Sequence, residues 1–289
     1  MNIDIHAEIT NQILAAMEQA RSTGRRLWDS QPSLPMNLAT GKPYQGINIL
    51  ILWAAGLSHG YTSPYWLTYK QAADMGGQVK KGEHGTRCVF YKPWESTETN
   101  RETGETETVK GAVLKSFTVF NLDQIDGIQA PAQEERPAFL AIETAERIMA
   151  ASPAPIKIGG TQACYIPGRD EIHLPPREAF INAEAFYSTA MHEMTHSTGH
   201  KSRLDRDFSG RFGTESYAFE ELIAEMGSAF LNAALGILHA TLPDHADYLS
   251  HWIAILKGDK KAITTAAAQA SKAHGFIKGL LATDAQAAA

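Results

Sequence analysis

The chain has 289 residues, 44% of them hydrophobic and 20% charged, a balance that excludes a collagen-like or wholly disordered polymer. That length exceeds what one core ordinarily serves, so two domains are expected. The net charge of −6 is unevenly spread: residues 21–92 hold nine Lys or Arg against three acids, whereas 93–137 hold four against nine.

Residues 1–20 contain Asp4, Glu8 and Glu18 and no Lys or Arg, which is not the composition of a secretory signal. Ile5, Ile9, Ile13 and Met17 instead mark a short amphipathic helix. The turn-rich NLATGKPYQG at 37–46 precedes INILILWAAGL at 47–57, the longest apolar run, which is too short to span a bilayer and suits a buried helix. SPYWLTYKQAADMGG at 63–77 predicts a helix stopped by its Gly pair. QVKKGEHGTRCVFYKPW gives a short strand, a turn at 81–85 and a second strand. ESTETNRETGETETVKG is polar and threonine-rich, an exposed hairpin tip or a disordered loop, and LKSFTVFNLDQI is the returning strand. Cys88 and Cys164 are the only cysteines, expected as free buried thiols in a reducing cytoplasm.

The basic block also holds Trp28, Tyr44, Trp53, Tyr61, Tyr65, Trp66, Tyr69, Phe90 and Tyr91. Cations interleaved with flat rings suit single-stranded nucleic acid, because phosphates need Lys or Arg and unstacked bases need a π surface. Trp53 and Phe90 lie in apolar runs and are expected in the core. Arg25, Arg26, Trp28, Tyr44, Trp66, Lys70, Lys80, Lys81 and His84 are the candidate DNA contacts.

DGIQAPAQEERPA at 126–138 reads as a linker, followed by a helix at 139–150 and a strand, turn and strand in KIGGTQACYIPGRDEIHLP. Within the latter, CYIPGRDEIHL offers an edge for an extended peptide. MHEMTHSTGH at 191–200 then sets His192, Glu193 and His196 in the spacing H-E-x-x-H. Histidines four apart share a helix face and can reach one tetrahedral cation, with Glu193 beside the open position. Asn182 is the expected N-cap and Gly199 the expected left-handed stop. Zinc at such a site lowers the pKa of a bound water to about 7, and Glu193 is placed to take its proton.

A third ligand must come from elsewhere. The metzincin pattern would need a histidine at 202, which is Ser202. His200 lies too far along the helix, since 192, 196 and 200 together climb about 12 Å. The helix YAFEELIAEMGSAFLNAALG at 217–236 supplies Glu221 and Glu225 on one face, with Glu220 rotated about 100° from Glu221. This resembles the gluzincin arrangement, which implies Glu221 as ligand and Glu225 as the residue that orients a ligand imidazole; the reverse assignment stays open. Tyr165, His173, Tyr217 and Tyr248 are unranked candidates for an oxyanion stabiliser.

The segments RRLWDS, LPMNLATGKPYQGINILIL, SPYWLTYKQAADMGGQVKKGEHG and SFTVFNLDQIDG resemble the N-terminal single-stranded-DNA-binding domain of ArdC-type antirestriction proteins, a domain also found ahead of plasmid primases. HEMTHSTGHKSRLDRDFSGRFGTESYAFEELIAEMGSAFL is similar to the zincin-like metallopeptidase domain that accompanies it. The likeness runs from about Arg25 to Leu280. It implies an α+β chain with a DNA-binding domain at 1–130 and a gluzincin-type domain at 138–289. It further implies a cytoplasmic bacterial protein that helps conjugative plasmid DNA survive restriction, with Zn2+ or another divalent ion as cofactor, single-stranded DNA as partner and no membrane. Two alternatives remain: a DNA-coating protein whose metal is purely structural, and a regulatory metallopeptidase that cleaves a specific host protein. A nuclease fits less well, because phosphoryl chemistry favours two metals.

Overall fold

The computed structural model describes residues 4–22, 33–99, 106–131, 138–206, 215–237 and 248–287. The first half opens with α1 (Ile5–Ser22), then the short strands β1 (Met36–Asn37) and β2 (Lys42–Pro43), and α2 (Ile47–His59). Next come β3 (Tyr65–Leu67), α3 (Tyr69–Asp74), β4 (Gln78–Val79), β5 (Thr86–Thr99), β6 (Thr106–Asn121) and β7 (Ile125–Asp126). The second half comprises α4 (Ala138–Ala150), β8 (Ile156–Ile158), β9 (Cys164–Ile166), β10 (Glu171–Leu174), α5 (Ala183–Ser197), α6 (Glu215–Leu235), α7 (Tyr248–Gly258) and α8 (Ala262–Ala287). The fold is α+β, as expected.

The main sheet runs β2-β1-β3-β6-β5, with β5 and β6 forming one long antiparallel hairpin. A second sheet runs β8-β10-β9, and β4 pairs with β7. The helix expected over 63–77 is divided. Tyr65 to Leu67 extend between β1 and β6, with Trp66 paired to Asn121, and the helix begins only at Tyr69. Thr68 causes the switch: its hydroxyl accepts from Gln71 N while Gln71 caps it in return, a reciprocal cap that sets the helix start. The predicted stop is present, with Gly76 at φ 81.

The apolar stripes of both halves meet in one core. Ile9, Ile13 and Met17 of α1 and Leu50 and Trp53 of α2 pack with Leu222, Met226 and Phe230 of α6, Trp252 of α7 and Ile263 and Ala266 of α8. Trp53 lies 5.8 Å from Phe230, ring centroid to centroid, so its predicted burial holds. A second cluster joins Ile148 of α4, Ile172 and Leu174 of β10, and Phe186, Ala190 and Met194 of α5 to Leu231 and Ile277. Together the clusters fix α5 and α6 side by side. Among the described residues, no helix is long and apolar enough to cross a membrane.

Candidate metal centre

Helix α5 starts where the sequence places it: the Asn182 side chain accepts from Ala185 N at 2.8 Å. Its end differs from expectation. Gly199 is not among the glycines with positive φ, and the helix closes through right-handed Thr198. Two arginines beyond the helix take over the stop. Arg203 donates to Ser197 O at 2.7 Å and forks onto Asp170 in the β9–β10 turn, while Arg206 donates to Thr195 O and to the Thr198 hydroxyl. Both guanidinium groups are buried, so these contacts anchor the loop more firmly than a surface pair could.

The close approach of α5 and α6 depends on Gly227. A Cβ there would fall 2.5 Å from Thr195 Cγ2, inside contact distance. At this crossing the acids of α6 meet the histidines of α5. His192 Nε2 and His196 Nε2 are 3.1 Å apart, and Glu221 presents Oε2 to His192 at 3.4 Å and Oε1 to His196 at 3.5 Å. Ligands at about 2.0 to 2.1 Å around a tetrahedral ion stand about 3.3 to 3.4 Å apart, so each imidazole lies near ligand spacing from the other and from one of the two Glu221 oxygens. All three residues are buried, and the group is the one His, Cys, Asp or Glu cluster among the described residues whose donors converge this closely. The donor set fits a single divalent ion with a position left over.

The residues around the triangle are ordered by charge. Glu225 lies behind His192, its Oε1 4.0 Å from Nδ1. His196 Nδ1 lies 3.1 Å from Glu220 Oε1, and Arg206 grips Glu220 at 3.0 and 2.8 Å. Sequence reasoning missed this pair, because Glu220 is off the Glu221 face and Arg206 comes from a loop. The two arginines at 203 and 206, a few residues past the helix, were a signal for the loop but not for its partner Glu220. Burial acts to lower the His196 pKa, but the Glu221 and Glu220 carboxylates overcome it and hold the imidazolium well above the ordinary histidine range. Burial likewise disfavours the Glu220 and Glu221 carboxylates, yet His196 with Arg206, and His196 with His192, keep both groups below the usual range.

Glu193 is only 6% exposed, and among the described residues its carboxylate has no hydrogen-bond or ion-pair partner. Cys164 on β9 is half-buried rather than buried; burial first and then the Glu193 charge push that thiol up. Cys88 is buried as expected. The Tyr165 hydroxyl donates to Asp170 at 2.8 Å, and His173 lies against Glu171. Tyr217 is half-buried, and the Tyr248 side chain lies outside the described residues.

The candidate DNA contacts are scattered. Arg25, Arg26 and Trp28 lie outside the described residues. Lys70, Lys81 and His84 are exposed, and Lys80 donates to Asp123 O. The half-buried Tyr44 hydroxyl accepts from Asn37, and Trp66 is 2% exposed beneath Tyr61, where it would have to leave the core to stack on a base. Phe90, expected in the core, is 45% exposed on β5, which among the described residues is the outer strand of the sheet, paired on one side only.

Comparison with known proteins agrees with this architecture. A family model for the N-terminal domain of anti-restriction factor ArdC matches residues 3–120, and one for a zincin-like metallopeptidase matches 143–269. The uncharacterized protein y4eC of Sinorhizobium fredii (strain NBRC 101917 / NGR234) is 39% identical over 275 residues, spanning 93% of this chain and 90% of that protein. DNA primase TraC of Escherichia coli is 39% identical over 289 residues, but the match is only 27% of the primase. The metal-free crystal structure of the antirestriction protein ArdC from plasmid R388 superposes with a TM-score of 0.79 at 38% identity, covering 97% of this chain and 99% of that one. Its Mn(II)-bound form gives 0.78, also at 38% identity, with 96% and 98% coverage. With the expected order of domains, and a solved relative matched from end to end, the chain belongs to the ArdC family of antirestriction proteins.

Proposed function

We propose that this chain protects incoming plasmid DNA by binding single strands with its first half and holding one divalent ion, zinc in the first instance, at His192, His196 and Glu221. The observation that carries the metal reading is the approach of the two Nε2 atoms to 3.1 Å, with one Glu221 oxygen 3.4 Å from His192 and the other 3.5 Å from His196, and the Mn(II)-bound relative supports it. When bound, the ion would polarise a water and draw its pKa down toward about 7. Glu193 supplies the rest of a hydrolytic site: a carboxylate with no other partner, placed to take a proton from water and hand it to a leaving amine. Glu220, braced by Arg206, orients His196; Glu225 stands behind His192. Strand β9 is an edge of its sheet against α5, where an extended peptide could add a strand. The DNA reading is supported by the ArdC N-terminal match and by the basic, aromatic composition of 21–92.

Metal analysis of the purified chain, combined with the variants His192→Ala and Glu221→Gln, tests the metal reading. The parent should carry about one divalent ion per chain and each variant markedly less. Equal content in all three would overturn the assignment.

A further inference from the structure

The β5–β6 hairpin has one face unlike its surroundings. Strand side chains alternate and directly paired residues share a face, so Cys88, Phe90 and Lys92 of β5 stand with Phe117, Lys115 and Val113 of β6. At the base of this face Cys88 and Val119 are buried against Leu52, Ala55 and Trp66. Farther out that cover ends: Phe90 is 45% and Val113 49% exposed, and apolar side chains adjoining in this way mark a surface that meets something. Phe90 rests edge-on against Phe117 with centroids 6.0 Å apart, so its ring has a fixed support and an open side.

Cations sit in the middle of this patch. Lys115 is directly opposite Phe90, and Lys92 is opposite Val113. Among the described residues neither ammonium joins an ion pair, whereas Arg87 on the reverse face is committed to Glu8 at 2.7 Å. A protein partner would favour an apolar centre from which lysine is depleted. A ring with one unpaired cation directly across from it and another two residues along its own strand fits a partner that alternates flat rings and anions. We infer that the face bearing Phe90, Lys92 and Lys115 is a docking surface for single-stranded DNA, with a base stacked on Phe90 and phosphates at the two lysines. The inference rests on the DNA-binding reading above and assigns its contact to residues outside the set expected from sequence.

Anisotropy titrations of the full chain with a labelled oligothymidylate, over a range of salt concentrations, test it. Phe90→Ala should weaken binding about tenfold, the worth of one lost stack, and Phe90→Trp should keep parental affinity. The pair Lys92→Ala/Lys115→Ala should reduce the slope of log affinity against log salt by about 1.4, two phosphates at about 0.7 each. Tyr91→Ala, on the opposite face, should bind as the parent does. If the parent binds and Phe90→Ala and the lysine pair match it in affinity and slope, this surface is not the DNA contact. A parent that fails to bind the oligonucleotide at all removes the DNA-binding reading itself. Equal losses on a duplex of the same sequence would overturn the single-strand assignment.

Discussion

Glu193 is nearly buried and its carboxylate bonds to no protein group among the described residues, which leaves it available to whatever enters the site. Glu193→Gln should leave metal content at the parental level, because the side chain is not one of the converging donors, while any peptide hydrolysis measured for the parent falls about a hundredfold or more. A variant that loses its metal would show Glu193 to be a ligand instead. Glu220 makes a different prediction. With His196 Nδ1 held at 3.1 Å by a carboxylate that Arg206 grips, Glu220→Gln should weaken metal affinity about 10- to 100-fold in competition with a chelating dye. Unchanged affinity would mean that the contact does not orient the ligand. Asp170 links the β-hairpin to the same loop, and Arg203 hydrogen bonds hold its carboxyl below the usual range. The stabilisation from this contact is therefore complete above the unfolded carboxylate value of about 3.9 and is lost as pH falls through the lower folded value. The stability gap between parent and Asp170→Asn should accordingly be about 1 to 3 kcal/mol at pH 7 and should shrink in acid, as read from denaturant midpoints across pH. A gap that does not change with pH would remove the charge from the explanation.

The packing of α5 against α6 turns a motif into a site. Gly227→Ala forces a methyl onto buried, β-branched Thr195, which cannot swing aside while its hydroxyl donates to Met191 O at 2.7 Å. The variant should lose about 1 to 3 kcal/mol of stability by thermal or denaturant unfolding and bind metal less tightly; wild-type behaviour in both would contradict a close-contact role. Local periodicity made much of this region readable: His192 and His196 lie one turn apart, Glu221 and Glu225 likewise, and Asn182 caps the helix as its residue type suggests. Glu220 was not readable, because the crossing of two helices, rather than the pattern within either, decides that its carboxylate reaches His196. The same limit applies to Trp66 and Phe90. Both look apolar in sequence, but whether a strand position is covered depends on its neighbours, and the sheet buries Trp66 while leaving Phe90 open. Helices α7 and α8 gave little signal because α8 packs mainly through alanines at 262, 266, 267, 270 and 273, which contrast weakly with its polar face.

Two matching family regions need not mean two independent cores. Helices α1 and α2 share their largest apolar cluster with α6, α7 and α8, so the matched segments 3–120 and 143–269 are packed into one another. The chain should therefore unfold in a single transition, with tryptophan fluorescence and far-ultraviolet circular dichroism coinciding. Two separated transitions would show that the halves are energetically independent. Length pointed to two domains, as the two family regions bear out, whereas the core they share depends on which faces of distant helices meet. The claim on which the functional account turns is the convergence of His192, His196 and Glu221 on one ion. Anomalous diffraction at the zinc edge from crystals of the zinc-loaded chain addresses it most directly. A single strong peak about 2.0 to 2.2 Å from His192 Nε2, His196 Nε2 and a Glu221 carboxylate oxygen is the expected result. A loaded crystal with no peak between α5 and α6, or with its peak on other side chains, would contradict the account.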